Sequence, residues 1–206
     1  MRRGARAADD MENPADLFDQ ICTPNRGINR DTLEHVIVLA VEIAREGREG
    51  RRIGTLFTVG DADEVLKRSR NLILDPLAGH PRERKLVSDP ETRETLKELA
   101  QLDGGFVISD DGVAVSACRY IHASAEEIRL PLGLGSRHMA AASISYQTSA
   151  VAVVVSESSV VRVFDNGELI SEIIPELWML RHYSLHLSGK YRERTVNQIT
   201  VVSKEE

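Results

Sequence analysis

Residues 136–174 read SRHMAAASISYQTSAVAVVVSESSVVRVFDNGELISEII, and three patterns follow one another along them. The spacing predicts a helix that begins near Ser136 and runs through Ala140, Ala141, Ala142 and Ile144. AVAVVVS, residues 150–156, is a short run of β-branched residues and reads as a buried strand. VVRVF and ELISEI then flank Asn166-Gly167, a dipeptide suited to a tight hairpin turn. A helix feeding a buried strand and then a hairpin implies a sheet that is partly antiparallel and covered by helices.

The same alternation continues outward. GFVIS (105–109) and VAVSACR (113–119) flank Asp110-Asp111-Gly112 and form another hairpin signal. Asp89-Pro90-Glu91 combines a cap, a proline and a first-turn acid, so a helix starts there. It carries Leu96, Leu99 and Ala100 inward and ends near Leu102. GTLFTV (54–59) reads as a buried strand, followed by a helix over 62–69 capped by Asp61 and a short strand at Asn71–Leu74. Leu33, Val36, Ile37, Ala40, Ile43 and Ala44 repeat at helical spacing; Asp31 with Glu34 resembles a capping box, and Gly47 is a stop. The Arg/Glu run Arg45–Arg52 reads as a solvated linker. Beyond the second hairpin, a helix from Pro175 and a strand within Thr195–Val202 are expected. The fold class is therefore α/β, a single domain with a central mixed sheet flanked by helices. Its parts are a flexible segment (1–30), an N-terminal helix (31–49), a main domain (50–175) and a C-terminal helix and tail (176–206).

Composition narrows the function. The 206 residues carry 26 Lys+Arg against 32 Asp+Glu, a formal charge of −6. Coating a nucleic acid needs a basic face, so no nucleic-acid partner is expected, although a single nucleotide is not excluded. Cys22 and Cys118 form no metal or redox motif, which makes a reducing cytoplasm the default. The N-terminus has arginines without an apolar core behind them, so it is not a secretory signal. The longest uncharged stretch, Met139–Ser156, has Ser143, Ser145, Gln147 and Thr148 in its middle, so no membrane partner is expected.

Several segments can carry chemistry. Leu102-Asp103-Gly104-Gly105 is either a plain helix stop or a carboxylate on a sharp turn, with two glycines admitting a ligand to the backbone. Gly133-Leu134-Gly135-Ser136-Arg137-His138 is either a flexible loop or a phosphate site at a helix N-terminus, with Ser136 and Arg137 as extra donors. Ser156-Glu157-Ser158 either ends a strand or lines a site at the strand's carboxyl end. His182 and His186 are four apart without a third ligand and read as surface residues.

Together and in order, LDGGFVISDDGVAVSACRYI, LPLGLGSRHMAAASI and AVAVVVSESSVVRVFDNGELI resemble the diadenylate cyclase domain, closest to the archaeal type. The family's motifs are Asp-Gly-Ala and Arg-His-Arg, the second preceded by Gly-Thr. GTLFTVGDADEVLKRSRNLILDPLAGH upstream is also similar, so the resemblance spans roughly residues 50–175. Here Gly105 replaces the Ala, Ser136 the Thr, Met139 the final Arg, and Ser158 follows Glu157 where many members have a second acid.

The resemblance implies a nucleotidyltransferase that condenses two ATP into cyclic di-AMP and two pyrophosphates. Asp103, Arg137 and His138 are the implied catalytic residues. Gly104, Gly105, Leu132, Leu134, Gly135, Ser136, Arg137, His138, Ser156 and Glu157 are the implied ATP contacts, with the leucines on adenine. Asp103 and Glu157 are the implied ligands of a divalent Mn or Mg ion. One site holds one ATP while the product joins two, so the implied partner is a second copy in a face-to-face dimer. The Met139 and Ser158 departures leave a catalytically lapsed, ATP-binding or regulatory member as the alternative.

Overall fold

The computed structural model describes residues 18–22, 27–123, 128–175, 190–196 and 199–204. In chain order, α1 (Arg30–Glu46) is followed by β1 (Thr55–Val59), α2 (Ala62–Lys67), β2 (Ser69–Asn71) and α3 (Pro90–Leu99). The hairpin β3 (Gly105–Ile108) and β4 (Ala114–Ile121) comes next, then α4 (Ser136–Gln147), β5 (Val151–Val155), β6 (Val161–Asp165) and β7 (Glu168–Ile174). β8 (Tyr191–Val196) and β9 (Ile199–Lys204) close the described chain.

The strands form one nine-stranded sheet in the order β2-β4-β3-β1-β5-β6-β7-β9-β8. Among the described strands only β1 and β3 run parallel; the other pairs are antiparallel, which makes the sheet mixed. Alternation along each strand sends side chains to opposite faces. Phe57, Val59, Phe106, Ile108, Val153 and Val163 join α1 in one core, where the Phe57 and Phe106 rings stack 4.8 Å apart. Leu56, Val107, Ala152, Val154 and Phe164 join α4 and Val65 of α2 in the other. The apolar face that the sequence assigns to α1 is the buried one, with Leu33, Val36, Ile37 and Ala40 in the core.

Several local expectations are revised. α1 is capped by Asn29, whose side chain accepts from the Thr32 N–H at 3.1 Å, not by an Asp31/Glu34 box. Asp61 does not cap α2. It sits in the left-handed region, and its carboxylate accepts the Ser149 N–H at 2.9 Å, tying the α4–β5 turn to β1. β2 ends at Asn71, so Leu72, Ile73 and Leu74 are left exposed beyond it. Phe18, Ile21 and Cys22, from the segment expected to be flexible, are buried against the α1 core. The single C-terminal strand is a hairpin, β8–β9, that lengthens the sheet past residue 175. The helix expected from Pro175, with His182 and His186, lies outside the described residues.

Candidate active site

Strand directions create the site. β3 runs parallel to β1 with Leu56 opposite Gly105, so both strands begin at the same edge of the sheet. β5 is antiparallel, with Thr55 opposite Val155, so it ends there. Three short segments therefore meet at one edge: Gly54 before β1, Asp103-Gly104 before β3, and Ser156-Glu157 after β5. α4 starts above them, packed on β5 and β6, and brings Ser136 and Arg137 to the same place.

The turn before β3 is specific to glycine. Gly104 has φ 103°, and a Cβ there would lie 2.7 Å from the Cys118 carbonyl carbon and 2.8 Å from the Arg119 nitrogen. That close approach comes from a bulge. Between the Gly105–Arg119 and Val107–Ser116 pairs, Ala117 and Cys118 face Phe106 alone, and Cys118 takes φ 55°. Such a bulge bends a strand and re-aims its side chains. Here it is pinned by Asp75, which accepts from Ser116 Oγ (2.6 Å) and the Ala117 N–H (3.2 Å). Burial pushes the Cys118 thiol pKa up, and the Asp75 and Asp103 carboxylates add to the shift. The thiol is thus a packed, neutral neighbour of the turn.

Two clefts open at this edge and share Asp103 and Arg137. The larger, about 550 Å³, is walled by Leu56, Leu72, Ile73, Tyr120 and Ala140, with Gly104, Gly105 and Ser136 at its rim. Arg119 lines it too, but its guanidinium donates to the Ser69 and Leu66 carbonyls (2.9 and 3.1 Å) and so fixes β2 in place. The smaller cleft, about 200 Å³, is lined by Arg48, Arg51, Arg52, Gly54 and Glu157 beside the shared pair. Arg137 Nη1 donates to Glu157 Oε1 at 3.1 Å. Gly54 makes room for this pair: a Cβ there would stand 2.6 Å from Arg137 Nη1 and 3.2 Å from Glu157 Cγ.

The site residues expected from the sequence are placed unevenly. Asp103, Gly104, Gly105, Ser136, Arg137 and Glu157 line the clefts. Gly135 is the N-cap of α4. Leu132 is 97% exposed, and Leu134 packs on the α4 core; neither is a cleft wall. The Ser156 hydroxyl is engaged inside its own turn, with Ser158 Oγ at 2.7 Å and the Val160 carbonyl at 3.0 Å. His138, in the first turn of α4, is buried, its Nε2 3.2 Å from Arg162 Nη1. Arg162 of β6 donates from Nε to Glu172 of β7 at 2.6 Å, and both are buried. Burial lowers the Arg162 pKa from its ordinary value, and the Glu172 carboxylate opposes that shift. His138 is therefore tied to a buried ion pair, and Arg137, one residue earlier, faces the clefts.

Sequence reasoning missed Gly54, Tyr120, Leu72, Ile73 and the three linker arginines. The signal for the arginines was present as Arg51-Arg52 directly before a buried strand. Among the described residues, no group of three or more His, Cys, Asp or Glu is gathered for a metal, and no helix is long and apolar enough to cross a membrane.

Comparison with known proteins places the chain among similar sequences. The family model described as DAC, DisA bacterial checkpoint controller nucleotide-binding, matches residues 42–169. A diadenylate cyclase of Methanocaldococcus jannaschii is 47% identical over 145 residues, covering 70% of this chain and 46% of that protein. A diadenylate cyclase of Haloferax volcanii is 45% identical over 155 residues, covering 74% of this chain and 54% of that protein. The chain thus spans about half the length of the curated relatives it matches. Among solved structures, a hypothetical membrane spanning protein from Bacillus cereus shares the fold, with a TM-score of 0.51 at 19% identity over 68% of this chain and 62% of that one.

Proposed function

Because the chain belongs to the DAC family of nucleotide-binding domains, we propose that it condenses two ATP into cyclic di-AMP with release of two pyrophosphates. One observation carries the reading: an apolar cleft and a basic cleft meet at Asp103 and Arg137. In ATP the α-phosphate joins an apolar-faced nucleoside to an anionic tail. A nucleoside in the larger cleft with its tail in the smaller puts the reacting phosphorus at the shared pair.

In each transfer a ribose 3′-hydroxyl attacks the α-phosphorus in line. A new O–P bond forms, the bond to the β-phosphate oxygen breaks, and pyrophosphate leaves. Asp103, on a turn fixed by Gly104, receives the hydroxyl proton. Arg137 and the uncapped N–H groups of α4 stabilise the charge that builds on the phosphate oxygens. Ser136 adds a hydroxyl donor at the same rim. His138 acts through Arg137: anchored on Arg162 and Glu172, it fixes the first turn of α4.

Asp103 and Glu157 are oxygen donors of the kind that Mg²⁺ or Mn²⁺ takes alongside substrate phosphates. They suit an ion shared with ATP, not one caged by protein alone. Such an ion would neutralise phosphate charge and acidify the attacking hydroxyl.

Each site holds one ATP, so the second nucleotide is presented by another copy of the chain across a two-fold axis. The test is incubation with ATP and Mn²⁺ followed by mass spectrometry. Cyclic di-AMP is expected, with turnover reduced about 10²- to 10⁴-fold in Asp103→Asn. ATP binding without product would identify a lapsed member, the alternative that Met139 and Ser158 leave open. Neither binding nor product would overturn both.

A further inference from the structure

The arginine run after α1 turns back on the site. Gly47 ends the helix with its N–H on the Ile43 carbonyl at 3.0 Å. Glu49 and Gly50, with φ of 50° and 73°, make a two-residue turn. It is closed by Arg48 N–H to Arg51 O at 2.9 Å and Arg51 N–H to Arg48 O at 2.8 Å. The elbow is anchored from behind. Arg48 reaches Glu46 (3.3 Å) and Glu94 (3.1 Å), so its charge is spent on α1 and α3. Arg51 and Arg52 are exposed and, among the described residues, have no ion-pair or hydrogen-bond partner for their guanidinium groups. Both line the smaller cleft beside Asp103 and Arg137.

Charge bookkeeping gives this cleft a sign. Arg137 and Glu157 neutralise one another, and Arg48 is neutralised by α1 and α3. That leaves two unpaired guanidinium groups against Asp103. Guanidinium is the side chain best matched to phosphate oxygens, because its N–H groups form a planar fork. A single phosphate held at Arg137 does not need the elbow; a longer anion runs from Arg137 onto it.

The geometry points to a polyphosphate subsite in which Arg51 and Arg52 grip the β- and γ-phosphates of ATP, and then the departing pyrophosphate. This rests on the reading of ATP as substrate. The subsite separates substrate from product, because cyclic di-AMP has no β- or γ-phosphate to place there.

The test measures binding of ATP, AMP and inorganic pyrophosphate, each with Mn²⁺, to the wild-type chain, to Arg51→Gln/Arg52→Gln and to Arg45→Gln. Arg45 is exposed in the same run but lines neither cleft. The double variant should lose at least about tenfold in ATP affinity, the scale of one charge-assisted hydrogen bond. It should also lose pyrophosphate binding, keep AMP affinity, and melt like wild type; Arg45→Gln should match wild type throughout. Equal losses for ATP and AMP, or no loss for either, would overturn the subsite. Pyrophosphate binding that depends on the arginines, with no ATP binding to wild type, would instead sink the substrate reading and keep the subsite. Wild-type chain that binds neither ligand would sink both.

Discussion

The two clefts share Asp103 and Arg137 but are built in opposite ways. The larger takes most of its walls from regular elements, Leu56 from β1, Tyr120 from β4 and Ala140 from α4, with Leu72 and Ile73 added from the segment after β2. The smaller takes its charge from the linker between α1 and β1. A strand or helix wall is fixed by the backbone of its element and can recognise shape. A linker guanidinium is held by its backbone turn, and its flexible end can follow an anion. The division suits a nucleotide, whose base is rigid and whose phosphate tail is not.

The most damaging change should be at the shared turn, because it breaks both clefts together. In Gly104→Ala the new Cβ meets the β4 backbone, which cannot swing aside. A destabilisation of about 2 kcal/mol or more is expected, with loss of ATP binding and of turnover. A chemical melt and an ATP titration would check this; wild-type values in either would break the account of the bulge. A smaller and one-sided effect is expected from Ala140→Leu, which fills the apolar cleft from α4. ATP and AMP should both weaken about tenfold, the scale of a badly overpacked contact. Pyrophosphate affinity should stay the same. Equal weakening of all three ligands would mean that the clefts are not separate.

How much of this was readable in the sequence follows the same division. Helices α1 to α4 and the β3–β4 and β6–β7 hairpins were legible because their signals are local: Asp89-Pro90 does cap α3, accepting the Thr92 N–H at 3.0 Å, and Asn166-Gly167 does turn β6 into β7. The Asp103 turn and the start of α4 were legible as motifs. The cleft walls were not, because they depend on which strands lie side by side, and a parallel β1–β3 pair leaves no local trace. Asp61 shows the same limit: a good cap by type, it is drawn away by the Ser149 N–H 88 positions along the chain. The linker arginines were misread for want of partners. In sequence they alternate with glutamates and look balanced; in space Glu46 and Glu94 are shared between Arg48 and Lys97, with Glu49 in the turn.

The mildest prediction concerns what stands behind the basic cleft. Glu94 on α3 accepts from Lys97 (2.8 Å) and Arg48 (3.1 Å) and so steadies the elbow without touching the cleft. Its hydrogen bond to Lys97 holds the Glu94 carboxyl pKa below the ordinary 4.5, and the charges of Lys97 and Arg48 act the same way. A carboxylate whose pKa is lowered by folding stabilises fully above its unfolded value. That contribution fades as pH falls through the folded value, when the proton returns. Glu94→Gln should therefore melt slightly below wild type at neutral pH, and the two melting temperatures should converge as pH drops below 4.5. An exposed pair of this kind contributes little, so the gap is small and its closing is the signature. Parallel melting curves across that range would show that Glu94 holds the elbow by shape alone and not by charge.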